Sequence, residues 1–142
     1  MNKILLSLVA SLSLLAATVA FAHETQTVGE GEEQYNVSVG YTTEPAYTEE
    51  RNGLALFVRS ASDEPVANLQ NSLTAQLTAP TGETLPLQLR AVQGEPGSYT
   101  DDFVLTQPGA YQLSVAGFIG GVGVDLTFDL HEVAPLDELR FP

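Results

Sequence analysis

From Tyr35 onward, successive side chains change chemical character at almost every step. Tyr35, Val37, Val39 and Tyr41 alternate with Asn36, Ser38, Gly40 and Thr42. A helix would scatter such residues around its axis, whereas a strand sends them to opposite faces, one for a core and one for water. Leu73, Ala75 and Leu77 alternate in the same way with Thr74, Gln76 and Thr78, and Leu85, Leu87 and Leu89 with Pro86, Gln88 and Arg90. Tyr111, Leu113 and Val115 follow suit, as do Val122, Val124, Leu126, Phe128 and Leu130. Leu54 to Arg59 is a more continuous apolar run, suited to a central strand, and Tyr99 to Thr106 is a further strand with Phe103 and Leu105 turned inward. Pro86 cannot donate to a ladder, which assigns its strand to an edge. Asp101 breaks the apolar row of its own strand and is expected at an edge or just before the strand begins.

These runs predict seven strands. Turn signals separate them: Asn52-Gly53, Asp63-Glu64-Pro65, Pro80-Thr81-Gly82, Gly94 to Gly97, Gln107-Pro108-Gly109 and the hairpin pair Gly120-Gly121. No segment holds helical periodicity over three turns. The expected fold class is all-β, an immunoglobulin-like β-sandwich of about seven strands over residues 35–133; a small Greek-key barrel is the alternative. Pro96-Gly97-Ser98-Tyr99 and Pro108-Gly109-Ala110-Tyr111 each deliver a tyrosine from a turn into a strand. The second fits the tyrosine-corner role better, its hydroxyl bonding back to the backbone. Residues 134–142 are read as a tail or a single helical turn.

Ahead of the alternating region, Lys3, an apolar run from Ile4 to Ala17 and Ala20-Phe21-Ala22 form the pattern of a cleavable signal peptide over residues 1–22. The expected location is periplasmic or extracellular, with no transmembrane segment after processing. Residues 23–34 are polar, acidic and aperiodic, and are read as a flexible arm. Cysteine is absent, which removes disulfides, thiolate metal sites and cysteine nucleophiles together. Without Lys3 the chain carries four arginines against 18 acidic residues, a formal charge of −14. That surface repels nucleic acid and anionic lipid and suits cations or basic partners.

Chemistry-bearing patterns are few. Two histidines, no lysine after processing and no Gly-x-Ser-x-Gly elbow leave little for catalysis, and the chain is read as a non-enzyme. Gly117, Gly120, Gly121 and Gly123 lie between strands, not before a helix, and so form no phosphate cradle. Glu30, Glu32 and Glu33, with Asp101 and Asp102, match no calcium-loop spacing.

Glu44-Pro45-Ala46-Tyr47 before Asn52-Gly53, then Glu64-Pro65-Val66 and the two Pro-Gly-x-Tyr turns, carry a resemblance over about residues 35 to 131. In these the chain resembles the small exported immunoglobulin-like proteins of bacteria grouped around the copper-resistance protein CopC and the YtkA-like domains. The resemblance implies Cu(II) binding by a processed N-terminal histidine, through its amine and imidazole, aided by an Asp-x-His pair. Cleavage after Ala22 would leave His23 first. The family's position for the pair corresponds to Ala116-Gly117-Phe118, which holds neither ligand; this chain has Asp129-Leu130-His131 instead. The expected metal set is therefore His23, His131 and Asp129, with a copper ion as cofactor and a carrier or buffer role. The alternative is a non-metal interaction module engaging another exported or membrane protein. Its candidate surfaces are the Pro86 edge strand and the segment Glu44 to Arg51.

Overall fold

In the computed structural model, which describes residues 23–142, the alternating runs become two antiparallel sheets stacked face to face. The strands are β1 (Glu24–Glu30), β2 (Glu33–Tyr41), β3 (Arg51–Ser60), β4 (Leu73–Thr78), β5 (Thr84–Leu87), β6 (Arg90–Ala91), β7 (Ser98–Val104), β8 (Gln112–Ile119) and β9 (Val122–Asp129). One sheet has the order β1-β2-β3-β7-β6 and the other β5-β4-β8-β9. The fold class is thus an all-β immunoglobulin-like sandwich. The segment read as a signal peptide, residues 1–22, lies outside the described residues.

The apolar rows of both sheets meet in one core. Val37, Val39, Leu56 and Val58 from the first sheet and Leu113, Val115 and Phe128 from the second are fully buried. Each such side chain contributes about 1.5–3 kcal/mol by leaving water. Tyr111 sends its hydroxyl back to the Gln107 carbonyl at 2.8 Å, the corner expected of it. The hairpin at Gly120-Gly121 joins Ile119 to Val122, with Gly120 at φ 58°. A positive angle at the first turn residue matches the twist of the strands it connects.

Three expectations need correction. Most of the acidic arm is not a free segment: Glu24–Glu30 pairs residue for residue with β2, from Glu24 opposite Val39 to Glu30 opposite Glu33. Thr25 and Thr27 hydrogen-bond across to Ser38 and Asn36 at 2.7 and 2.8 Å, and Gln26 Nε2 donates to the Thr127 carbonyl of β9 at 2.7 Å. As an edge strand, β1 needs no apolar stripe, which is why its sequence shows none.

Asn52-Gly53 is not a turn but lies inside β3. Asn52 is buried and works through its side chain. Its Oδ1 accepts from Thr42 Oγ1 and Thr43 N, each at 3.0 Å, and from Gly53 N at 2.8 Å, while Nδ2 donates to the Thr43 carbonyl at 2.9 Å. Gly53 is required by close approach: a Cβ there would stand 2.5 Å from the Asp101 carbonyl oxygen of β7.

The strand expected over Leu85 to Arg90 divides. β5 pairs with β4 at the edge of the second sheet, as Pro86 demands, and β6 pairs with β7 in the first. Between them the chain changes sheets, and Gln88 N donates to Asp101 Oδ2 at 2.8 Å. Asp101 breaks the apolar alternation of its strand because its carboxylate holds this crossover. Past the strands, Val133 pairs with Gly109 and Ala134 with Tyr47, and Leu136–Leu139 forms one 3-10 turn.

Candidate functional site

On the outer face of the first sheet the side chains shrink where the strands cross its middle. Glu24 pairs with Val39, so His23 leads into the row of Gly40, Ala55 and Thr100; the next row is Thr25, Ser38, Phe57 and Ser98. Small residues in the first row leave a trough, and Phe57 is the large apolar side chain standing beside it. The His23 ring meets Phe57 edge-on, with centroids 5.3 Å apart and planes at 88°, the geometry in which a positive ring edge meets a negative face.

The trough encloses about 650 Å³. Its floor is Ala55, Ser98 and Thr100. One end is built by Thr42, Thr43 and Glu44, and the far wall by Val92 and Glu95 of the β6–β7 connection. Asn52 explains the first end, because three of its hydrogen bonds hold Thr42 and Thr43 in place. Glu44 is fixed by accepting from Tyr41 N at 3.2 Å. On the other side of Phe57 a second depression, of about 440 Å³, is lined by Thr25, Asn36, Ser38, Arg59 and Asp63.

Charge on this sheet is partly cancelled. Arg51 and Arg90 both reach Asp102 Oδ2 at 2.8 Å, and Arg90 also reaches Asp101 at 3.3 Å. The hydrogen bond from Arg51, with Arg90 beside it, holds the Asp102 carboxyl below the usual aspartate range. Arg59 lies 3.9 Å from Asp63. Among the described residues, Glu44 and Glu95 have no such cation.

The residues expected to hold copper are not brought together. His23 lies on the outer face of the first sheet. Asp129 lies on the outer face of the second, where its Oδ1 accepts from Gln112 Nε2 at 2.9 Å. His131 is exposed just beyond β9, with Leu130 buried between it and Asp129. His23 and Asp129 thus stand on the outer faces of different sheets. Among the described residues no group of three or more His, Asp or Glu side chains could hold a metal ion. The acidic candidates also divide: Glu30 and Glu33 sit at the β1–β2 hairpin, while Asp101 and Asp102 are two strands away on β7.

Of the candidate interaction surfaces, the Glu44 to Arg51 segment is anchored at its middle, while Pro45, Glu49 and Arg51 are exposed. Ala46 and Thr48 are buried, and Ala46 and Thr48 exchange backbone hydrogen bonds with Ala134 at 3.0 Å. Only its first residue reaches the trough. The trough itself was missed in the sequence. Gly40 is legible as a small outward residue, but Ala55 is lost in a continuous apolar run, and nothing in a one-dimensional pattern says that the two stand side by side.

The fold places the chain in the class of immunoglobulin-like β-sandwiches. No protein-family model and no curated protein matches it. Among solved structures it is similar to a DUF4426 family protein from Pseudomonas aeruginosa, with 16% identity, a TM-score of 0.56, and coverage of 78% of this chain and 95% of that one. It also matches the Lin-41 filamin domain at 15% identity and TM-score 0.44, over 66% of this chain and 91% of that one. A DUF4785 family protein from Legionella pneumophila matches at 11% identity and TM-score 0.47, over 74% of this chain and 29% of that one. The first of these likenesses supports the fold and nothing finer. Among the described residues no helix is long and apolar enough to cross a membrane.

Proposed function

We propose that this protein is an exported, non-catalytic binding module that engages another protein through the outer face of its five-stranded sheet, centred on Phe57. The observation that carries this reading is the trough of about 650 Å³ beside Phe57, floored by the small side chains Ala55, Ser98 and Thr100. Binding sites are concave, with an apolar patch and a few placed polar groups, and aromatic residues anchor protein interfaces. An interaction role needs no rearrangement of the sandwich. A copper carrier built from His23, His131 and Asp129 would need groups from opposite outer faces to meet.

A photo-cross-linking side chain placed at position 57 tests the assignment in cells exporting the protein. It should give one discrete adduct, and the same group at Ser114, on the outer face of the second sheet, should give none. Equal adducts at both positions, or none at either, would remove this face from function.

A further inference from the structure

Resting on that reading, we infer that the segment docking in the Phe57 trough is an extended, lysine- or arginine-bearing stretch of the partner protein. Glu44 and Glu95 line the trough from different connections of the chain, one after β2 and the other before β7. Neither is neutralised within the described residues, whereas Arg51 and Arg90 on the same sheet are already held by Asp101 and Asp102. The trough thus presents an apolar wall between two carboxylates, with no lysine or arginine among the described residues of its lining.

Lysine and arginine match this arrangement. Their methylene stems lie along apolar surface while the charged head reaches outward, so a stem can rest on Phe57 and Val92 while the head meets a carboxylate. A cation over the Phe57 ring gains further attraction. The net charge of −13 over the whole chain draws a basic segment toward the surface from any direction. The two glutamates decide where it settles. An acidic or purely apolar segment would cover Glu44 and Glu95 without supplying a cation, at a cost in affinity.

A fluorescent peptide of alternating lysine and valine, with an alternating glutamate and valine peptide as control, serves as probe. Binding is followed by anisotropy with protein purified after expression of the full chain. The basic peptide should bind and the acidic one should not, and Glu44→Gln with Glu95→Gln should weaken the basic peptide about tenfold or more. Glu83→Gln with Asp129→Asn, the same loss of charge away from the trough, should change affinity less than twofold. Equal weakening by both pairs would show diffuse attraction only and overturn the inference, as would binding of the acidic peptide or no binding of the basic one. The native partner separates this inference from the reading beneath it. Because a cross-linker at position 57 replaces the Phe57 ring itself, the adduct is read from Thr100 instead: if it survives the glutamate substitutions, the docking face stands and the cationic segment falls.

Discussion

The Tyr99 hydroxyl donates to the carbonyl oxygen of Val66 at 2.6 Å, joining residues 33 apart in the chain. The Tyr99 hydroxyl oxygen in turn accepts from Leu69 N at 3.1 Å. One buried phenol thereby holds the connection between β3 and β4 against the sheet that carries the trough.

Tyr99→Phe should therefore destabilise the fold by about 1–3 kcal/mol, since it removes one hydrogen bond and leaves the Leu69 N–H without its acceptor. Tyr41→Phe is the contrast. The Tyr41 hydroxyl is buried with no partner among the described residues, so its removal should leave stability at neutral pH equal or slightly higher. Urea denaturation of the two variants against wild type measures both. A larger loss in Tyr41→Phe than in Tyr99→Phe would contradict the assignment.

Burial, reinforced by Tyr111 and Glu44 nearby, raises the Tyr41 pKa well above its ordinary value of 10.0. A folded-state pKa above the unfolded one gives stability that is complete below pH 10 and lost as pH rises beyond it. Asp102 has the opposite sign. Its pKa is lowered from 3.8, so its contribution is present above that value and disappears as pH falls through the lower folded-state value. Stability measured from pH 2 to 11 should show Tyr41→Phe flattening the alkaline limb and Asp102→Asn flattening the acid limb. Because the Asp102 pairs are exposed, the acid effect should shrink in high salt.

Asn52→Ala should cost about 1–3 kcal/mol, because it strips acceptors from buried backbone donors, and should loosen one end of the trough. Hydrogen exchange at the Thr43 and Gly53 amides, compared with that at Val115 in the core, reads the local effect. Gly53→Ala should also destabilise, by about 1–3 kcal/mol, through the clash with the Asp101 carbonyl. Unchanged exchange at Thr43 in Asn52→Ala would show that the loop is held otherwise.

His131→Ala should leave Cu(II) affinity unchanged within twofold, since His131 lies beyond β9 of the second sheet and His23 on the outer face of the first. Titration of wild type and variant in parallel decides the point. A tenfold loss on substitution would require the two histidines to share an ion.

The strands were legible because burial has a period: Val37, Val39, Leu113 and Val115 announce an inward face in their own neighbourhood. Pro86 announced an edge by the donor it lacks, and Tyr111 a corner by the turn before it. β1 was illegible because an edge strand that turns only Val28 toward the core carries no such period. Asn52-Gly53 misled because the same two residues that suit a tight turn also suit a buried hub beside a close backbone approach.

Alternation along the chain determined which side chains face inward, because every second residue of a strand must share a side, and hence that two sheets would stack over a common core. Which outward residues become neighbours was decided only by strand order and register. His23, Glu95 and the β3 pair Ala55 and Phe57 come from three separate segments and meet because hydrogen bonds between strands set them side by side. The same registers carried His23 and Asp129 to opposite outer faces, a separation that proximity of chemical type in the sequence does not contain.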